Sequence, residues 1–104
     1  MMMSDAQAEN LSPLNREIRS LLLGERAEVT RLATQLKTIQ DPVAALAVQR
    51  RISALKSGTQ IAILEVQGRF ARQEGRIEQA DEIDTVVARM KARQEARLSR
   101  QASQ

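Results

Sequence analysis

Four acidic side chains lie close together in the second half of the chain and are the first candidates for chemistry. Glu74, Glu78, Asp81 and Glu82 follow one another at helical spacing, so they share one helix face. Clustered carboxylates can hold Mg²⁺, Ca²⁺ or a pair of metal ions. The sequence has no His, no Glu-x-x-His pair and no loop with EF-hand spacing. We therefore predict no metal site and interpret the acids as the electrostatic start of a helix.

Arginines at helical spacing are the second candidate. The C-terminal stripe consists of Arg89, Arg93, Arg97 and Arg100, and a second set consists of Arg69, Arg72 and Arg76. Such a stripe can follow a phosphate backbone. The net charge is only +3, and Phe70 is the single aromatic residue available to stack on an unpaired base. A solvated basic face is the favoured interpretation, and nucleic-acid binding is the alternative function.

The remaining composition argues against catalysis and against bound cofactors. The sequence has neither Cys nor His, which removes thiol nucleophiles, the commonest general base and the commonest transition-metal ligands. It has no glycine-rich phosphate loop. We therefore predict a protein that is not an enzyme and that carries no cofactor.

Hydrophobic runs in the chain are short. Runs such as Leu21–Leu23 and Ile61–Leu64 fall far below the ~20 residues that a membrane-spanning helix needs. The first ten residues, MMMSDAQAEN, lack the basic and apolar regions of a secretory signal. The expectation is a cytoplasmic protein without a membrane span.

Two Pro-containing dipeptides mark the starts of long helices. Ser12-Pro13 and Asp41-Pro42 each combine a good N-cap with a proline suited to the first helical position. Apolar periodicity predicts helices at about residues 13–39 and 42–74, joined tightly enough to form an antiparallel hairpin. Gly58 lies inside the second helix, and Ser57-Gly58-Thr59 would be a place to end one helix and cap another. We favour a continuous helix because the apolar phase carries through.

A third helix is predicted at about residues 76–99, after Gly75. Acids dominate its first turns and bases its last turns, an order that suits the helix dipole. The stretch GRIEQADE resembles the inter-helix turn of tetratricopeptide repeats, with Gly68, Gly75 and Ala80 at small positions and Leu64 at a bulky one. Ala71, Asp84 and Ala92 depart from that pattern, and no second repeat follows. The resemblance implies a helix–turn–helix.

The three helices make one all-α domain over residues 12–99, with flexible ends at 1–11 and 100–104. It is either a compact three-helix bundle or an elongated coiled-coil-like assembly. Aliphatic residues at coiled-coil spacing predict a seam for packing or for a partner. Its members are Ile18, Leu22, Val29, Leu32, Leu36, Ile52, Leu55, Val66 and Phe70.

One charged residue falls on this seam. Glu25 occupies a predicted core position, with Arg50, Arg51 and Lys56 on the next helix as possible ion-pair partners. A buried pair is costly but can fix register, whereas a residue at the seam's edge reaches water. We favour the edge.

The core predicted from this composition is thin, because aromatic residues bury the most area and the chain has one. Long helices with a thin aliphatic core often share their seam with another chain. We therefore expect a small helical adaptor, assembly factor or structural subunit. It would dock helices onto further copies of itself, as a homo-oligomer, or onto a larger protein.

Overall fold

The computed structural model describes residues 12–102, which form three α-helices joined by short turns. Helix α1 runs over Pro13–Leu36, α2 over Pro42–Gln73 and α3 over Ile77–Ala102. No strand occurs within residues 12–102. The predicted all-α fold, a helical hairpin followed by a third helix, is confirmed. The segment 1–11, predicted to be flexible, and residues 103–104 lie outside the described part of the chain.

Helices α1 and α2 start where their capping residues predict. The Ser12 hydroxyl accepts a hydrogen bond from the Asn15 N–H at 3.2 Å, and the Asp41 carboxylate accepts one from the Val43 N–H at 3.3 Å. A proline occupies the first turn of each helix. Local sequence alone therefore sets both starts, because capping satisfies N–H groups that have no partner inside the helix.

Helix α1 ends at Leu36, three residues earlier than the predicted end at residue 39. The Gln35 carbonyl accepts from the Thr38 N–H at 3.1 Å and from the Thr38 hydroxyl at 2.8 Å. In a continuing helix this carbonyl would accept from the N–H of Ile39. That N–H instead donates to Leu36 at 3.2 Å. A tight turn therefore replaces the last predicted helical turn.

Gly75 forms the turn between α2 and α3. Its φ of +80° lies in the left-handed region, which glycine enters without steric cost. The Arg76 N–H donates to the Ala71 carbonyl at 2.8 Å, and the Gly75 N–H donates to the Arg72 carbonyl at 3.1 Å. These two bonds make a Schellman motif. The predicted turn at Gly75 and the new helix after it are both present.

The structure defines the extent of α2 and α3. Helix α2 is continuous through Gly58, where the Thr59 hydroxyl donates to the Leu55 carbonyl at 2.9 Å. Helix α3 extends to Ala102, so residues 100–102, which the sequence assigned to the C-terminal tail, are helical. Arg100 lies in the last turn of α3, where a positive charge interacts favourably with the helix dipole.

The three helices form a flat bundle. Helix α2 lies in the middle and packs against α1 on one side and α3 on the other. The bundle measures 51 × 36 × 14 Å, and its smallest dimension is about the width of one helix with its side chains. The buried hydrophobic residues are few: Leu32, Val48, Ile61, Ala71, Ala80 and Val87. The core is therefore two narrow seams, one on each side of α2.

Small residues let α2 and α3 approach closely. A Cβ atom added to Gly68 would lie 3.2 Å from Cγ2 of Ile83 on α3, which is tighter than ordinary van der Waals contact. Ala71 and Ala80, next to the turn, are almost completely buried. The resemblance to a helix–turn–helix with small residues at Gly68, Gly75 and Ala80 therefore holds for the local geometry.

Candidate functional site

Two members of the acidic group, Glu74 and Asp81, form ion pairs with arginines of the same turn, whereas Glu78 and Glu82 form none within residues 12–102. Arg72 donates to Asp81 at 3.0 Å and to Asp84 at 2.7 Å. The hydrogen bonds from Asp81 first, and then from Asp84, raise the pKa of Arg72 above its usual value. Arg76 pairs with Glu74 at 2.7 Å. Within residues 12–102 no group of three or more acidic side chains is arranged to hold a metal ion.

The same ion pairs remove one of the two predicted arginine sets from consideration as a phosphate site. Arg69 pairs with Glu17 across the α1–α2 interface, while Arg72 and Arg76 pair at the turn. These three arginines therefore connect elements of the chain, and a phosphate would have to displace a carboxylate from each.

The C-terminal arginine stripe is arranged differently. Arg89, Arg93, Arg97 and Arg100 are all exposed on α3, and none forms an ion pair with a residue in the described part of the chain. The neighbouring Lys91 points the other way and pairs with Glu65 of α2 at 3.2 Å. The structure thus leaves a row of unpaired positive charges on the solvent side of α3.

The predicted seam is only partly a core. Leu32 is completely buried, whereas Leu22 is 49% exposed and is not part of the core within the chain. The other seam residues are half-buried: Ile18, Val29, Leu36, Ile52, Leu55, Val66 and Phe70. Because α1 has a neighbour on one side only, a narrow strip of it is covered, and Leu22 lies about 80° around the helix from Leu32 at 100° per residue.

Glu25 is half-buried and forms no ion pair with Arg50, Arg51 or Lys56. No charged side chain within residues 12–102 is buried. This agrees with a glutamate at the edge of the seam that reaches water.

A cleft of about 570 Å³ lies between the N-terminal half of α2 and the C-terminal half of α3. Leu46 and Leu98 line it and remain 45% and 52% exposed. Arg50, Arg51 and Arg97 also line it, and no acidic side chain among the described residues does. The cleft therefore combines apolar surface with three arginines, and sequence reasoning missed it because its lining comes from two helices that are far apart in the sequence.

No helix within residues 12–102 has both the length and the hydropathy to cross a membrane. Comparison of the chain with protein families, with characterised proteins and with solved structures found no match.

Proposed function

We propose that this chain is a small, non-enzymatic helical interaction protein of the cytoplasm. It acts as an adaptor, assembly factor or structural subunit by docking helix faces onto further copies of itself or onto a larger protein partner. The flat bundle is the observation that carries this proposal.

A single layer of helices covers each helix poorly. Stable domains are usually built from two or more packed layers around one core. Here the thickness is 14 Å, and Leu32 is the largest residue that is fully buried in the described chain. A second layer supplied by another chain would cover the half-buried side chains of α1 and α2. Association thus supplies burial that the chain by itself lacks.

Exposed apolar side chains offer a contact surface for such an association. Leu46 and Leu98 lie together in the cleft, and Val43 is on the same face of α2 as Leu46, one turn earlier. Each exposed leucine covered by a partner would contribute on the order of 1 kcal/mol, since burying a whole leucine side chain is worth about 1.5–3 kcal/mol and these are already half covered.

The test measures association directly. Sedimentation velocity at protein concentrations of roughly 1 to 100 µM reports self-association. This range covers complexes of weak to moderate affinity. Cross-linking capture from the native source, comparing wild type with Leu46→Glu/Leu98→Glu, reports binding to another protein. The matched control is Ile77→Glu, because Ile77 is also about half exposed but lies outside the cleft. The proposal would be refuted if the wild-type protein is monomeric at every concentration and also captures the same proteins as the double variant.

Nucleic-acid binding is the second candidate, favoured by the unpaired, exposed row of Arg89, Arg93, Arg97 and Arg100. Four phosphate contacts predict a slope of log affinity against log salt near −3.6, at about −0.9 per contact on duplex DNA. Fluorescence anisotropy with labelled duplex DNA and RNA measures this slope. A slope near zero on both would eliminate this candidate.

A further inference from the structure

Apart from Glu95, which lies on another side of the helix, the charges of α3 that form no ion pair separate into two halves of opposite sign. Glu78 and Glu82 lie near its start, and the stripe Arg89, Arg93, Arg97 and Arg100 occupies its second half. None of these six side chains has an ion-pair partner within residues 12–102. By contrast, Asp81, Asp84 and Lys91 of the same helix all pair with side chains of α2.

These unpaired charges share one side of the helix. At 100° per residue five of them fall on the side of α3 opposite Ala80 and Val87, which are buried against α2, and Arg97 lies about 90° from that side, toward the cleft. Val86 lies between the acidic and the basic half and is 43% exposed. We call this side the α3 outer face; it consists of Glu78, Glu82, Val86, Arg89, Arg93, Arg97 and Arg100.

We propose that the α3 outer face binds the same face of a second copy of the chain, with the two helices antiparallel and related by a two-fold axis. This inference rests on the self-association in the proposed function and places it on α3, at the edge of the flat bundle, and not on the faces of α1 and α2. A parallel arrangement would place acids against acids and arginines against arginines. The antiparallel arrangement places the acidic half of each helix against the basic half of the other.

The spacing of the charges fixes the register. Glu78 and Glu82 are one helical step of four apart, and so are Arg93 and Arg97. An axis between residues 87 and 88 therefore sets Glu82 opposite Arg93 of the second copy and Glu78 opposite Arg97 of the second copy. It also sets Val86 opposite Arg89, whose aliphatic stem can cover an apolar neighbour. Symmetry repeats each contact, as in any two-fold interface.

The cleft adds a second reason for this arrangement. Arg97 belongs both to the α3 outer face and to the lining of the cleft, where Arg50 and Arg51 are also found. The register brings the acidic start of the second α3 beside that arginine-lined edge.

Charge reversal tests the register on the intact chain. Glu82→Arg and Arg93→Glu each convert two symmetry-related attractions into repulsions, so each should raise the dimer dissociation constant at least tenfold. The combined variant Glu82→Arg/Arg93→Glu restores opposite signs and should return the constant most of the way to the wild-type value, because residues that face one another are coupled. Glu95→Arg is the control, since Glu95 is exposed on α3 but outside the outer face.

Sedimentation equilibrium with interference optics gives the constants, because the chain has no Trp or Tyr to absorb. Circular dichroism checks that all variants keep wild-type helicity. Raising salt to about 1 M, where the screening length is about 3 Å, should weaken the wild-type dimer and the double variant alike.

Three outcomes would overturn the inference. In the first, the wild type dimerises but neither single reversal weakens it, which leaves self-association intact and moves it to another surface. In the second, both single reversals weaken the dimer and the double variant stays weak, so that the charges do not face one another. In the third, the wild type stays monomeric up to 100 µM, which also removes self-association from the proposed function, and binds duplex nucleic acid with a steep salt slope through the same arginines.

Discussion

Gly58→Ala should stabilise the protein, because the structure places Gly58 in the interior of a continuous α2. A Cβ atom added there meets no heavy atom within 4 Å, and Gly75 is the one glycine of the described chain with positive φ. The alanine therefore causes neither a clash nor backbone strain. The Thr59 hydroxyl donates a hydrogen bond to the Leu55 carbonyl, one helical turn earlier, at 2.9 Å. This bond agrees with a helix that continues through Gly58.

The magnitude follows from helix propensity. Glycine in a helix interior is about 1 kcal/mol less favourable than alanine. Gly58→Ala should therefore raise the free energy of unfolding by about 1 kcal/mol, which corresponds to an increase in Tm of about 4–8 °C for a domain of this size. Urea and thermal unfolding followed by circular dichroism at fixed protein concentration measure both quantities.

A decrease in the free energy of unfolding on Gly58→Ala would refute a continuous α2. If Ser57-Gly58-Thr59 ended one helix and began another, Gly58 would adopt a left-handed conformation, and alanine would cost about 1–2 kcal/mol there. Gly24→Ala is the matched control. Gly24 lies in the interior of α1 and also has open space around its Cβ position, so its substitution should stabilise the protein by a similar ~1 kcal/mol.

Three further predictions concern single positions. Gly75→Ala should lower the free energy of unfolding by about 1–2 kcal/mol, because Gly75 has φ +80°; equal stability in urea would contradict the turn. Leu32→Ala should lower the free energy of unfolding by about 2–5 kcal/mol, and Leu22→Ala should lower it by less than about 1 kcal/mol. The reason is that Leu32 is fully buried and Leu22 is 49% exposed. Similar losses for the two variants would contradict the packing of α1. The hydrogen bond from Arg31 lowers the pKa of Glu28, so this pair stabilises the fold above pH 4.5 and loses that effect as pH falls through the lowered pKa. Glu28→Gln should therefore destabilise the protein more at neutral pH than in acid below the lowered pKa of Glu28, where the glutamate is itself uncharged; equal effects at the two pH values would show that the charge is irrelevant.

Helix starts and the central turn follow from the sequence because the interactions that make them are local. Ser12 and Asp41 cap helices through N–H groups two or three residues away, and Gly75 supplies a conformation that other residues avoid. The end of α1 is also local, but there the apolar phase through Ile39 competed with Thr38, which bonds the Gln35 carbonyl. Periodicity alone favoured the longer helix and was wrong.

The composition of the core could be predicted only in part. Coiled-coil spacing selects large aliphatic residues, so the predicted seam included Leu22, which is 49% exposed, and left out Ala71, which is almost completely buried. Burial in a flat bundle depends on how many neighbours each helix has. Small residues become buried where two helix backbones approach closely. At Gly68, an added Cβ atom would lie only 3.2 Å from Cγ2 of Ile83. The hydrophobicity of a residue does not predict such an approach.

The sequence by itself determined the all-α class, the helix starts, the turn at Gly75 and the lack of His and Cys chemistry, because each depends on residue type or on neighbours along the chain. Only the tertiary structure decided which charges are free. Arg72 and Arg97 look alike as members of arginine stripes, yet the turn brings Asp81 and Asp84 within 3.0 Å of Arg72 and leaves Arg97 beside an open cleft. Electrostatic pairing depends on distance in space, which helical spacing along the sequence does not fix.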